Sequence, residues 1–172
     1  TKTNLLSIDI EHPEILRLID NITVSSNCTD MEIYGNLGYV ASMEEIPKLH
    51  IYNITLPTNM DFLKTISISE TTAKFMQLTL SDLHLYAYFG NTQINAFSLT
   101  NSSTLESAFK INLSHNINVM GIWHEYLVIG EKNHLKLYNE TQFRFSADEV
   151  PTTAEIELNS TISYLDFFGD FF

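Results

Sequence analysis

The chain has 172 residues, of which 44% are hydrophobic and 17% are charged, so it can bury a sizeable core. Acidic residues outnumber basic ones by 21 to 9, and the formal net charge is −12. A surface of this sign repels phosphate backbones, which argues against nucleic acid as a partner. No apolar run approaches the roughly 18 residues of a membrane-spanning helix, so the sequence predicts no membrane span.

A short apolar pattern recurs along the chain and ends each time in a small polar residue. These residues, here called the strand-end residues, are Asp9, Asn53, Ser98 and Asn139. They are separated by 44, 45 and 41 positions. A near-constant period in this range indicates a stacked repeat architecture.

The first elements are two short strands and a polar stretch. Residues 4–10 alternate apolar and polar side chains, residues 15–19 are mostly apolar, and His12-Pro13 between them predicts a turn. Residues 20–30 are polar, so we expect a loop there.

A hairpin follows the polar stretch. Residues 31–34 and 39–42 flank Gly35, which can take a positive φ at little steric cost. A strand in the segment 48–55, which contains the strand-end residue Asn53, and a further strand at 62–68 complete this repeat.

The same cycle is predicted twice more. Its strands lie at 75–80, 83–89, 94–100, 117–122, 126–130 and 135–139, with a turn at 123–125. Aligned on Ala41 and Ala87, the turn residues Asn36 and Asp82 coincide, and His124 takes the same place.

After Asn139 the pattern loosens, and either 142–145 or 154–158 is the fourth strand of that unit. A strand at 161–167, a turn at 168–170 and the start of a return strand at 171–172 follow. Since no long window keeps a period of 3.6, we expect almost no helix.

Four short strands per 41 to 45 residues, many of them apolar on both faces, match a β-propeller blade. The segments Leu-His-Ile-Tyr-Asn-Ile-Thr-Leu-Pro at 49–57 and Gly-Tyr-Val-Ala at 38–41 resemble the LVIVD-type propeller repeat. The resemblance implies an all-β fold, a propeller of about four repeats of four short antiparallel strands. Ser98 and Asn139 depart from the usual Asp, and the third and fourth units lack the Pro.

The whole chain, 1–172, is interpreted as one propeller segment. The repeats run approximately over 1–42, 43–89, 90–130 and 131–172, and the blades implied by the resemblance over 31–68, 75–111 and 117–158.

Half a blade is expected at each end of the chain. The resemblance makes 5–19 a pair of outer strands and 162–172 a pair of inner strands. They either complete one blade and close a four-bladed ring, with 5–10 beside 171–172, or belong to a partial arc of a larger propeller. We favour the partial arc, because the pattern stops inside a strand. The start at Thr1, without a leader, is consistent with a mature form or an excised piece.

Potential glycosylation sites bear on location. Asn-x-Ser/Thr sequons are more frequent than this composition produces by chance, which favours an extracellular or cell-surface protein over accidental occurrence in an Asn/Thr-rich sequence. The seven acceptors are Asn21, Asn27, Asn53, Asn101, Asn112, Asn139 and Asn159.

Residues able to bind metals or act as nucleophiles lack the spacing that such sites need. His50, His84, His124 and His134 do not form a local zinc pattern, so a structural or surface role is the better interpretation. Cys28 is the single cysteine and cannot form an internal disulfide. No cofactor or metal is predicted.

Acidic residues at predicted turns are the only catalytic candidates. Asp82, Glu125, Asp166 and Asp170 are of the type used by glycosidases, but solvated turns are the usual location of such residues, and no calcium-loop pattern occurs. We therefore expect a non-catalytic interaction module, binding protein or glycan, within a larger repeat protein. A secreted propeller enzyme, such as a glycan-active hydrolase, and an intracellular scaffold are the alternatives.

Overall fold

The computed structural model describes residues 3–12, 14–24, 27–68, 77–90, 92–101, 104–145 and 152–165. Among these residues are fourteen strands and one short 3₁₀-helix, Glu140–Phe145. This confirms the predicted all-β fold. No helix within the described ranges has the length and hydropathy needed to span a membrane.

The strands form one hairpin and three four-stranded sheets, and in each of them neighbouring strands are consecutive in the chain and antiparallel. The hairpin is sheet A, with β1 (Thr3–Asp9) and β2 (Arg17–Val24). Sheet B contains β3 (Asn27–Tyr34), β4 (Leu37–Met43), β5 (Lys48–Asn53) and β6 (Asp61–Ser67). Sheet C contains β7 (Gln77–Leu80), β8 (His84–Tyr88), β9 (Gln93–Ser98) and β10 (Glu106–Asn112). Sheet D contains β11 (Val119–Trp123), β12 (Tyr126–Glu131), β13 (His134–Asn139) and β14 (Ala154–Glu157).

The chain divides into two compact units, Thr1–Met76 and Gln77–Phe172. In the first unit, Val24 of the hairpin packs with Val40 and Tyr52 of sheet B. In the second unit, sheets C and D share a core in which Tyr86, Leu127 and Ile129 are fully buried. Burial of these side chains between sheets supplies most of the driving force for packing.

Each strand-end residue makes the same local turn. The backbone N–H of the residue two positions later donates to its side-chain oxygen, at 2.9 Å for Asp9, 3.0 Å for Asn53, 3.2 Å for Ser98 and 2.9 Å for Asn139. Asp, Asn and Ser can provide this oxygen, which satisfies an N–H that the sheet no longer pairs. The repeat period of the sequence is therefore the spacing of these turns.

Sheet A corresponds to the last two strands of a blade. Its pairing shifts by one residue between Ser7 and Ile8, just before Asp9, and sheet B has the same shift between Ile51 and Tyr52. Among the described residues, β1 pairs with β2 alone. Accordingly, Ile8 is 47% exposed, whereas Tyr52 at the equivalent position is 3% exposed.

The prediction of a loop at 20–30 is wrong. β2 continues to Val24 and β3 already begins at Asn27. Ile22 faces the core, and the polar side chain of Thr23 is exposed. A half-buried strand pairs through its backbone, so polar residues on its outer face do not prevent it from forming.

The turn after β1 is longer than predicted. The expected second strand at 15–19 starts two residues later, at Arg17, because Ile15 N–H donates to the His12 carbonyl at 2.8 Å and closes a turn. Ile15 and Leu16 are consequently exposed.

The structure decides between the two candidates for the fourth strand of sheet D. That strand is β14, while 142–145 lies in the 3₁₀-helix. The strand predicted at 161–167 is not present over 161–165, where Ile162 N–H instead donates to the Lys132 carbonyl at 2.9 Å. The turn at 168–170 and the pairing of 5–10 with 171–172 lie outside the described residues.

Candidate functional site

The first two strands of each complete sheet are joined by a tight turn. By strand register, His124 and Asp82 hold the position in their own turns that Gly35 holds in the turn of sheet B, which corrects the sequence alignment of both residues with Asn36. Gly35 has φ of 56° and His124 has φ of 53°. Such a φ is uncommon for a residue with a side chain. The turn of sheet D therefore uses a histidine at the position where sheet B has a glycine.

Two aromatic residues flank the turn of sheet D. Trp123 and Tyr126 form the last residue pair between β11 and β12, and their rings stack with centroids 6.1 Å apart and planes 29° apart. The ring of His124 meets Trp123 edge-on at 4.8 Å. Trp123 is 41% exposed, so a large flat aromatic surface faces outward at this turn. Exposed tryptophan and tyrosine are the residue types that anchor protein interfaces.

A buried carboxylate joins sheets C and D at the same end. Glu140, the first residue of the 3₁₀-helix, is 4% exposed and accepts a hydrogen bond from the Tyr86 hydroxyl at 2.5 Å. His84 Nδ1 lies 3.5 Å from the same carboxylate oxygen. Glu140 N–H also donates to the Glu125 carbonyl at 2.8 Å, which ties the cluster to the turn of sheet D.

The environment of Glu140 keeps it charged. Burial raises the pKa of this carboxyl, but hydrogen bonds from His84, Ser81 and Tyr86 outweigh burial, and the net effect lowers the pKa below its ordinary value. Burial and the nearby carboxylate raise the pKa of Tyr86. Although Tyr, His and Glu are common in acid-base catalysis, Tyr86 is 0% exposed. The cluster therefore acts as a clamp between sheets.

Two further contacts hold sheets C and D together, the first of them between β7 and β11. The Gln77 side-chain amide donates to the Met120 carbonyl and accepts from the Met120 N–H, both at 3.1 Å. The Tyr88 hydroxyl accepts from Ile117 N–H at 3.2 Å. Since these contacts lie near the starts of β7 and β11, the turns that follow the two strands lie at the same end of the second unit.

Exposed carboxylates lie in the turns at this end of the second unit. Glu125 lies in the turn between Trp123 and Tyr126, and Asp82 lies in the corresponding turn of sheet C. Both residues were catalytic candidates in the sequence, and both are exposed. The candidates Asp166 and Asp170 lie outside the described residues. We call Trp123, Tyr126, Glu125 and Asp82 the turn-end surface.

A buried ion pair lies at the opposite end of sheet D. Glu131 is 2% exposed, contacts Lys136 Nζ, and has His115 Nδ1 at 3.3 Å. Burial raises the pKa of Glu131, but Lys136 and His115 together outweigh burial, and the net pKa is lowered. Lys136 faces Glu131 as His50 faces Ser42 in sheet B, so a polar side chain recurs at this register position.

The four histidines that the sequence analysis considered, and set aside, as metal ligands are dispersed. His50 is buried, with Nε2 2.9 Å from Ser42 Oγ and Nδ1 2.9 Å from Thr65 Oγ1. His84 faces Glu140, His124 lies in its turn, and His134 Nδ1 lies 2.9 Å from Glu155. In the part of the chain that the structure describes, no group of three or more His, Cys, Asp or Glu can hold a metal ion.

The seven sequon asparagines all lie at the surface, five of them exposed and two half-buried. Asn21 lies within β2, Asn27 begins β3, Asn53 ends β5, Asn112 ends β10, Asn139 ends β13, and Asn101 and Asn159 lie outside strands. Cys28 is half-buried in β3, and burial raises the pKa of its thiol.

Sequence reasoning missed the clamp and the aromatic pair. Charged residues are rarely buried, so neither Glu140 nor Glu131 stood out. A signal for Glu140 was present, since it directly follows the strand-end residue Asn139. The sequence predicts that Trp123, the sole tryptophan, lies in a turn at 123–125, whereas in the structure it ends β11 and is exposed.

Comparison with known proteins shows the fold. No family model matches the sequence, and no curated protein matches it either. Solved structures do match: BBS1N, crystallised in complex with ARL6DN, superposes with a TM-score of 0.65 at 14% identity, over 90% of this chain and 48% of that one. BamB from Moraxella catarrhalis matches with a TM-score of 0.59 at 12% identity, over 81% of this chain and 37% of that one.

These neighbours are β-propellers, so the chain is similar to part of a propeller, as predicted. It spans about half the length of the BBS1N chain.

Proposed function

We propose that this chain is a non-catalytic, protein-binding propeller module that binds its partner through the turn-end surface. The observation that carries the proposal is the stack of the exposed Trp123 on the half-buried Tyr126. Burying such a pair in a partner removes a large apolar area from water without ordering a flexible side chain. The clamp at Glu140 holds the turns in place, which lowers the cost of binding.

The propeller neighbours support an interaction role. One of them, BBS1N, was crystallised with a protein, ARL6DN. We propose that the chain belongs to a larger repeat protein, and the support is that it spans about half of that structure. The LVIVD-type repeat remains our proposal for the sequence family, supported by the recurring turn at Asp9, Asn53, Ser98 and Asn139.

The binding proposal is tested by replacing the aromatic anchor. Wild type, Trp123→Leu and a control variant, Tyr164→Leu, are compared in crosslinking to partners from the native source. Tyr164 is 74% exposed and belongs to the same unit, so the control removes an exposed aromatic ring that is not part of the turn-end surface. We expect Trp123→Leu alone to lose the crosslinked partner. Equal crosslinking by all three proteins would refute the proposal.

We propose in addition that the module is extracellular or on the cell surface. The support is the seven sequons, none of whose asparagines is buried. Treatment of the native protein with a peptide N-glycosidase should increase its electrophoretic mobility. An unchanged mobility would favour the intracellular scaffold instead.

A catalytic propeller is the second candidate, because Asp82 and Glu125 lie at one end of the same unit. Glycosidases use two carboxylates on either side of the scissile bond. A hydrolase screen that detects turnover in the wild type, and loses it in both Asp82→Asn and Glu125→Gln, would replace the binding proposal with this one.

A further inference from the structure

The turn-end surface combines an aromatic face with negative charge, and this combination specifies a class of partner. Trp123 presents its ring outward, while the carboxylate of Glu125 lies two residues away in the same turn. Asp82 in the neighbouring turn and Glu106 at the start of β10 add exposed carboxylates at this end of the second unit. The chain as a whole carries a net charge of −12.

These features favour a cation. The face of an indole ring attracts a guanidinium or ammonium group, and arginine is the cation most often found there. A guanidinium lying on Trp123 can donate hydrogen bonds to a carboxylate beside the ring. A neutral sugar also stacks on tryptophan, and its hydroxyls can donate hydrogen bonds to a carboxylate, but unlike a cation it is not attracted over long range by the negative charge of this end.

We infer that the turn-end surface binds an arginine-bearing segment of a partner protein, with a guanidinium stacked on Trp123 and paired with Glu125. This inference rests on the proposed function and specifies the partner's chemistry. Long-range attraction by the acidic end speeds association and makes it sensitive to salt.

The test uses the full chain and a synthetic peptide that repeats Gly-Ser-Arg, compared with the same peptide carrying citrulline. Citrulline keeps the shape of arginine and removes its charge. Because Trp123 is the sole tryptophan, its fluorescence reports directly on stacking at this site. We expect the arginine peptide to quench it and the citrulline peptide to bind much more weakly.

Variants localise the binding. Followed by anisotropy of the labelled peptide, Trp123→Leu is expected to weaken binding about 2- to 5-fold, which corresponds to a cation-π contribution at an exposed site. Glu125→Gln should weaken binding and reduce its salt dependence. Glu157→Gln removes an exposed carboxylate from β14, at the opposite end of sheet D, and should bind as the wild type does.

Two outcomes would overturn the inference. The first is equal binding of the arginine and citrulline peptides. The second is quenching of Trp123 by a neutral oligosaccharide such as chitotetraose, undiminished in Glu125→Gln, together with no response to the arginine peptide. If either occurs while Trp123→Leu still loses the crosslinked native partner, the proposed function stands and only the arginine chemistry fails.

Discussion

Tyr86→Phe is the substitution that isolates the clamp between sheets C and D. It removes one oxygen, which lies 2.5 Å from the Glu140 carboxylate, and leaves the packing of the ring intact. Phe109 and Phe143 contact the ring edge-on, each with a centroid separation of 6.3 Å, and a phenylalanine keeps both contacts. The change in stability therefore measures the hydrogen bond.

The expected decrease in the free energy of unfolding is larger than for a neutral hydrogen bond, because the acceptor is charged and buried. Hydrogen bonds to charged groups contribute about 1.5–3 kcal/mol to the free energy of unfolding. For a chain of this size, each kcal/mol shifts Tm by about 2–4 °C. Tyr86→Phe should accordingly lower Tm by about 3–12 °C at pH 7.

The same contact predicts a dependence on pH. The folded-state pKa of Glu140 is lowered, so the stability gained from its ionised form is present above the ordinary pKa of 4.5 and is lost as pH falls through the folded-state value. The stability difference between wild type and Tyr86→Phe should therefore narrow below pH 4.5.

Urea unfolding followed by the fluorescence of Trp123 reports on the second unit, which contains the clamp. Tyr138→Phe removes a hydroxyl from another buried tyrosine of the same core and serves as the control. An equal midpoint for wild type and Tyr86→Phe at pH 7 would refute the clamp, and so would an undiminished difference at low pH.

Three further predictions concern packing, pH and the strand-end turns. Gly130→Ala should lower the free energy of unfolding by about 1–3 kcal/mol, because the added Cβ would lie 2.8 Å from Val119 Cγ1. The control Gly38→Ala should be tolerated, since the nearest atom to its Cβ is 3.5 Å away, and thermal unfolding of both variants measures the difference. Burial lowers the pKa of His50, so the first unit should lose protection in hydrogen exchange as pH falls below about 6.5, and His50→Gln should weaken this response. Asn53→Asp keeps the turn oxygen and should unfold like wild type, whereas Asn53→Ala should lose about 1 kcal/mol; comparable stability of the two would contradict the turn's role.

The sequence predicted the centre of each blade well. The second strands of sheets B, C and D and the third strands of sheets B and C are mostly buried, so their apolar runs and the strand-end residues mark them clearly. The edges were harder to predict. β14 has the sequence Ala-Glu-Ile-Glu and is exposed throughout, so no burial pattern distinguished it from 142–145.

The clamp and the turn-end surface depend on contacts between sheets, which local patterns do not encode. Glu140 is 54 residues from Tyr86, and Gln77 is 43 from Met120. The side chains meet because β7 and β11 are neighbours in the fold. A period of 41 to 45 residues predicts that blades stack, but not which side chains face each other across the junction.

The strand-end turns also change the weight of the sequon evidence. At Asn53 and Asn139, the side-chain oxygen accepts from both the backbone N–H and the hydroxyl of the sequon threonine, at 2.6 Å from the hydroxyl in each case. Asn-x-Thr at these two positions therefore has a structural reason that holds in any compartment. The turn uses Oδ1 and leaves the glycan-accepting nitrogen out of that pair of bonds, so modification and turn are compatible. The proposal of an extracellular location consequently rests on the remaining five acceptors. A sharper experiment than the glycosidase treatment is therefore to map which asparagines carry a glycan among Asn21, Asn27, Asn101, Asn112 and Asn159.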